Sequence, residues 1–180
     1  VASGAYGRFI GGSGCYGKGL MHNGSHLLDF LSFLGIRVEH AHPFATILDF
    51  SENDPTHSVA LSCAQGAKFV LQGIDARAAT VFEATWYFEN ARIRLIDSGF
   101  SLGVAPRRES PVFKGYRTYR DEVISETAFG NALFHVVGDL AQALRGVRGP
   151  ACTLEDAAAV ERLCENVRAE YEKTHPALRS

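Results

Sequence analysis

Apolar positions change their period along the chain. Over residues 21–34, Leu27, Leu28, Leu31 and Leu34 recur at helical spacing and Gly35 follows as a helix-ending residue, which predicts a first helix. Residues 6–12 read as a short strand before it, ended by a glycine-dense stretch (Gly11, Gly12, Gly14, Gly17, Gly19) that reads as a loop. After the helix, residues 36–42, 58–64, 68–75, 80–88 and 93–97 are short runs of β-branched or aromatic residues separated by turn residues. Gln65-Gly66 and Glu89-Asn90 stand between such runs as hairpin connections. Residues 99–120, which hold Pro106 and Pro111, predict a long loop ending in one more strand. Amphipathic helical patterns return over residues 127–144 and 153–171, where Thr153, Glu155 and Asp156 suit a cap and first turn. Strand, helix, many strands, two helices: this order predicts an α+β fold built on a meandering antiparallel β-sheet.

Composition narrows the picture without changing it. At 180 residues, 46% apolar and 21% charged, the chain suits one domain with a sizeable core. A formal charge of -2 gives no electrostatic footprint for nucleic acid or an anionic membrane surface. The run 114–120 interleaves basic and aromatic residues, but without a wider basic surface it reads as an exposed strand or a lid segment. No apolar run approaches the length of a membrane-spanning helix. Cys15, Cys63, Cys152 and Cys164 lack CxxC spacing and read as reduced residues of a cytoplasmic protein. The first residues have neither an initiating Met nor the layout of a signal peptide, so the chain is expected to be part of a longer one.

Candidate chemistry concentrates between residues 12 and 29. Gly12, Gly14 and Gly17 spell GxGxxG, with Glu39 near the place of a ribose-binding acid, but hairpins follow where a dinucleotide fold requires parallel crossovers. Gly12 to Lys18 also opens a phosphate-loop pattern, yet Gly19 stands where a Ser or Thr should hold magnesium. His22, His26 and Asp29 follow at i, i+4 and i+7, one stripe of the first helix, with Asn23 and Ser25 beside them. Such a stripe suits a general base oriented by a neighbouring acid or imidazole. A metal-dependent hydrolase using His22, His26 and Asp29 is the alternative, although the intervening Glu of the metalloprotease helix is lacking.

Residues 16–35, TyrGlyLysGlyLeuMetHisAsnGlySerHisLeuLeuAspPheLeuSerPheLeuGly, resemble the segment that opens the C-terminal domain of the glucose-fructose oxidoreductase, inositol dehydrogenase and MocA family. The tail from AlaGlnAlaLeuArgGlyValArgGlyPro onward is similar to that family's last two helices. The resemblance implies that residues 1–180 form a single substrate-binding and oligomerisation domain, an open, mostly antiparallel β-sheet with helices packed on one face, and that an N-terminal Rossmann domain, with a catalytic Lys and most of the NAD or NADP contacts, is absent from them. It implies a sugar-like or cyclitol substrate, a homo-oligomer formed through the sheet, and no activity for these residues alone. The family's DxGxH pattern places its proton-transfer His on His26, its glycine on Gly24 and the following acid on Asp29. The position four before is His22 here, where the family often has Asp or Asn. Tyr16, Lys18 and Asn23 fall where that family approaches the sugar. A non-catalytic binding or assembly member of the same fold is the remaining alternative.

Overall fold

The computed structural model describes residues 4–175. Val1, Ala2 and Ser3, on which the expectation of a longer chain partly rests, lie outside them. The first strand, β1 (Phe9–Tyr16), is followed by a one-turn π-helix (Leu20–Gly24) and by α1 (Ser25–Phe33). Hairpin-linked strands come next: β2 (Val38–Ser51), β3 (Asp54–Cys63) and β4 (Lys68–Gly73), then β5 (Phe82–Phe88), β6 (Ala91–Ile96) and β7 (Ser101–Glu109). Two short strands, β8 (Arg117–Tyr119) and β9 (Val123–Glu126), precede α2 (Ala132–Leu144) and α3 (Leu154–Thr174).

All the strands join one sheet in the order β2-β3-β4-β1-β5-β6-β7, with β8 and β9 each pairing with a different stretch of β7. Every pairing is antiparallel except that of β1 with β4. The exception follows from connectivity: the β2-β3-β4 meander returns beside β1 on one flank while β5-β6-β7 builds the other, which leaves the first strand in the middle. Turns at 65–66 and 89–90 close hairpins as the residue pairs predict.

A central position explains the glycines. Gly12 pairs with Phe69 of β4 and Trp86 of β5, so the first part of the run read as a loop, through Gly14, lies in the middle of the sheet with strands on both sides, and only Gly17 and Gly19 fall in the turn after β1. A Cβ on Gly12 would sit 2.4 Å from the Thr85 carbonyl oxygen and 2.9 Å from the Phe69 ring, and one on Gly14 would press on Leu27 at 3.0 Å. These two glycines serve close packing inside the sheet, so the first half of the GxGxxG pattern forms no loop open to a pyrophosphate.

The other differences have equally local causes. β2 extends to Ser51, beyond the expected 36–42, because it is an edge strand and Pro43 falls beside a register shift, where a missing N–H disturbs no ladder. Residues 101–109 form β7 along β6, not a loop. The Lys114–Arg120 region is exposed, with Arg117 paired to Glu109 and Arg120 to Asp121.

One face of the sheet carries the core. Leu27, Leu28 and Leu31 of α1 and Val160, Cys164 and Val167 of α3 bury against Leu61, Phe69, Leu71 and Trp86. Both ends of this helical layer are chemically defined. Gly35, at φ 74°, closes α1 with paired bonds from Gly35 N to Ser32 O and Ile36 N to Leu31 O, the Schellman arrangement. Thr153 opens α3 with a reciprocal capping box to Asp156. By contrast, no residue of α2 is buried. No helix among the described residues is long and apolar enough to cross a membrane, and the four cysteines are unpaired.

Candidate active site

Between β1 and α1 the chain makes a tight turn held from outside. Lys18 takes the left-handed conformation at φ 66°, uncommon for a residue with a side chain, and its N–H donates to Asp49 Oδ2 at 3.0 Å. Gly19, at φ 83°, donates to Thr56 Oγ1, whose hydroxyl in turn donates to Asp49 Oδ1. The π-helix that follows exposes two backbone donors to one carboxylate: Met21 N and His22 N bond Asp54 at 2.8 and 2.9 Å. Asp54 therefore does for this helix what a capping side chain does from within. Hydrogen bonding holds Asp49 below the usual carboxylate range in spite of its partial burial.

That turn and the start of α1 form one wall of a cavity of about 460 Å³. Lys18, His22, Asn23, His26 and Asp29 line it, facing Phe82, Phe100 and Phe129. Five of the six residues singled out in the sequence thus share one cavity, within the size range of small-molecule sites. His22 is fixed by stacking on Phe50 of β2, ring centroids 4.9 Å apart, and His26 meets the edge of Phe82 at 6.3 Å. Tyr16 stands apart. It is fully buried, its hydroxyl donating to His57 O at 2.7 Å and accepting from His57 N at 3.0 Å, and burial pushes its ionisation up. Among the described residues no group of three or more His, Cys, Asp or Glu stands close enough to hold a metal ion, so the hydrolase alternative has no assembled ligand set.

Sequence reading missed Asp49, Asp54 and Thr56, which lie 25 or more residues from the turn they hold. Their only signal is a polar cluster at a strand-turn-strand junction. Loss of Asp54 in an Asp54→Ala variant should cost about 1–2 kcal/mol, because two amides lose their acceptor. Denaturant unfolding checks this, and a variant as stable as the parent would show that water replaces the carboxylate.

His57 lies beneath the site, 2% exposed, with Nδ1 2.7 Å from Thr46 Oγ1 and its ring against Tyr171. Burial, aided by the Arg168 charge and opposed by Asp54, lowers its pKa to about 4. The unfolded chain binds a proton there near pH 6.5 and the folded chain does not. Stability from this group is therefore complete above about pH 6.5 and is lost as the pH falls toward 4, by about 3 kcal/mol in all. His57→Gln should flatten that limb of a stability-pH curve, and an unchanged slope would assign it to other groups.

No protein-family model matches the chain, and no curated protein matches it. Solved structures do. The fold is that of oxidoreductases of the glucose-fructose oxidoreductase, inositol dehydrogenase and MocA type. Three of them are an oxidoreductase from Sinorhizobium meliloti (TM-score 0.74, 11% identity, covering 96% of this chain and 57% of that one), a levoglucosan dehydrogenase in complex with NADH and levoglucosan (0.71, 14%, 96% and 59%), and a UDP-N-acetylglucosamine 3-dehydrogenase from Acidithiobacillus ferrooxidans (0.64, 13%, 94% and 56%). The chain spans little more than half the length of these structures, and identities this low establish the fold.

Proposed function

We propose that this chain is the substrate-binding domain of an NAD(P)-dependent oxidoreductase acting on a hydroxyl or keto group of a sugar, a cyclitol or a related compound. One observation carries the reading: the cavity that gathers Lys18, His22, Asn23, His26 and Asp29 against an aromatic wall, in a fold shared with sugar-acting dehydrogenases. The Lys18 ammonium and Asn23 amide supply donors to hydroxyls or a carboxylate, and Phe82, Phe100 and Phe129 offer apolar faces to a ring's C–H surfaces. His26 is exposed within the cavity and takes the proton from, or returns it to, the reacting oxygen. Asp29, one turn further along α1, orients it, and His22, held on Phe50, replaces the expected acid as a positioning group.

NAD or NADP supplies hydride transfer when bound. The described residues do not fit it, since Gly12 and Gly14 are taken up in β1 and the amides of Lys18 and Gly19 in the turn that follows are already bonded to Asp49 and Thr56. A Rossmann domain outside these residues would hold it, so residues 1–180 alone should not turn over substrate. The sheet face opposite α1 and α3, where Ser13, Val70 and Thr85 are neighbours, is assigned to a second copy in a homo-oligomer. The test is nucleotide titration and a screen of sugars and cyclitols with the complete polypeptide. Reduction of NAD or NADP by one such substrate supports the reading. Failure to bind either nucleotide would favour a binding or assembly protein of the same fold.

A further inference from the structure

At the outer edge of the sheet stand two histidines that the fold leaves without a partner. β2 pairs with β3 alone, so among the described residues its other side is open. His40 and His42 alternate on it with no register shift between them, opposite Ser62 and Ala60 of β3. Ala41, between them, packs on the core beside its own partner Leu61, so both imidazoles stand on the opposite face. Both are exposed, and among the described residues neither is engaged by a hydrogen bond, an ion pair or a ring contact. Lys68, the cation across β3, is held by Ser62 Oγ at 2.7 Å.

Their spacing suits a chelate. Residues two apart on one strand are separated by about 6.8 Å, which two imidazole arms can close onto a shared ion lying about 2.0–2.1 Å from each ring nitrogen. Two imidazoles leave a tetrahedral ion half coordinated, and among the described residues of one chain no third His, Cys, Asp or Glu completes the set. A second copy supplies the missing half. An open edge strand is a template for its own copy, and a two-fold axis makes that pairing antiparallel. Register shifts on either side confine the regular stretch of β2 to residues 40–43, which sets the axis beside the histidines. With the axis at Ala41, His40 faces His42 of the partner subunit, and directly opposed residues have Cβ atoms about 4.5–5.5 Å apart. All four rings then share one face. Phe44 and Leu48, 51% and 60% exposed on the same strand, are apolar area that such a pairing would cover.

We propose that His40 and His42 are half of a transition-metal site for Zn²⁺ or a similar borderline dication, completed by the same pair from a second copy docked antiparallel on the β2 edge. Metal binding and assembly through this edge are then one equilibrium, each strengthening the other. The contact is separate from one through the sheet face. It does not depend on the oxidoreductase reading, and its failure would leave that reading intact.

The test is titration of Zn²⁺ into the complete polypeptide after chelator stripping and dialysis, with particle mass followed by light scattering and bound metal by elemental analysis. The expected result is a doubling of mass at one Zn²⁺ per two chains, counted beyond any Zn²⁺ kept by a variant carrying His40→Ala and His42→Ala. The association constant of the doubling should be at least tenfold higher with the metal than without it. Co²⁺ in place of Zn²⁺ should show the intense visible bands of a tetrahedral site. The double variant changes only exposed side chains, so it should fold, keep the parent's circular dichroism and remain undoubled in Zn²⁺. Unchanged mass at saturating Zn²⁺, one ion per chain with the pale Co²⁺ spectrum of a water-completed octahedral site, or doubling that persists in the double variant would each overturn the proposal.

Discussion

Replacing His26 with asparagine in the complete polypeptide is expected to reduce kcat by about 10²–10⁴-fold, the usual range for a lost proton-transfer group. Asparagine keeps a polar, hydrogen-bonding side chain of smaller size, so α1 and the cavity wall should persist. Leu27, Leu28 and Leu31 anchor the helix from its opposite side. Substrate affinity should change little, because Lys18 and Asn23 remain to hold hydroxyls. The effect should therefore fall on kcat more than on KM, and the limb of the pH profile that reports the base should vanish. His22→Asn is expected to be milder, since His22 acts through its seat on Phe50 and not on the reacting atom. Steady-state kinetics against pH decide the matter: a His26→Asn enzyme with the parent's kcat would remove His26 from the mechanism.

Truncating Trp86 to alanine is expected to cost about 3–5 kcal/mol, the range for deleting a large buried aromatic. Trp86 is 1% exposed at the centre of the sheet, opposite Gly12, with Phe30 of α1 at 5.8 Å and Phe69 of β4 at 6.3 Å between ring centroids. It joins the strand layer to the helix that carries His26, so its loss should loosen the site as well as the core. Trp86→Phe should be far better tolerated. The buried indole Nε1 has no hydrogen-bond partner among the described residues, so phenylalanine loses volume but no bond, and removes an unsatisfied donor. Denaturation followed by circular dichroism avoids dependence on the single tryptophan. Equal destabilisation by Phe and Ala would imply that the indole N–H has a partner, such as bound water.

Local chemistry made part of this molecule readable. The Schellman end of α1 at Gly35, the Thr153 cap of α3 and the hairpins at 65–66 and 89–90 each depend on residues a few positions apart, and each was legible. The stripe was legible in part: helical spacing puts His26 and Asp29 on one side of α1, whereas His22 falls in the π-helical turn before that helix and reaches the same cavity from there. The glycines were misleading. Gly12 and Gly14 look like a loop in one dimension, and only the arrival of Phe69, Thr85 and Leu27 from distant segments shows why no side chain fits. Tyr16 was placed near the sugar by resemblance, whereas packing commits its hydroxyl to the backbone of His57.

Sequence by itself determined the three helices, the hairpin-linked strands around the turns at 65–66 and 89–90 and the face of α1 that bears His26 and Asp29, because periodicity, caps and turns are set by neighbours in the chain. Tertiary structure alone decided that β1 lies at the centre of the sheet, that Asp49, Asp54 and Thr56 hold the turn before α1, and that Phe100 and Phe129 wall the cavity. It also decided that α2, amphipathic by pattern, has no face to bury against among the described residues. An amphipathic pattern states only that a face must be covered, and the covering surface comes from chain far away or from another body.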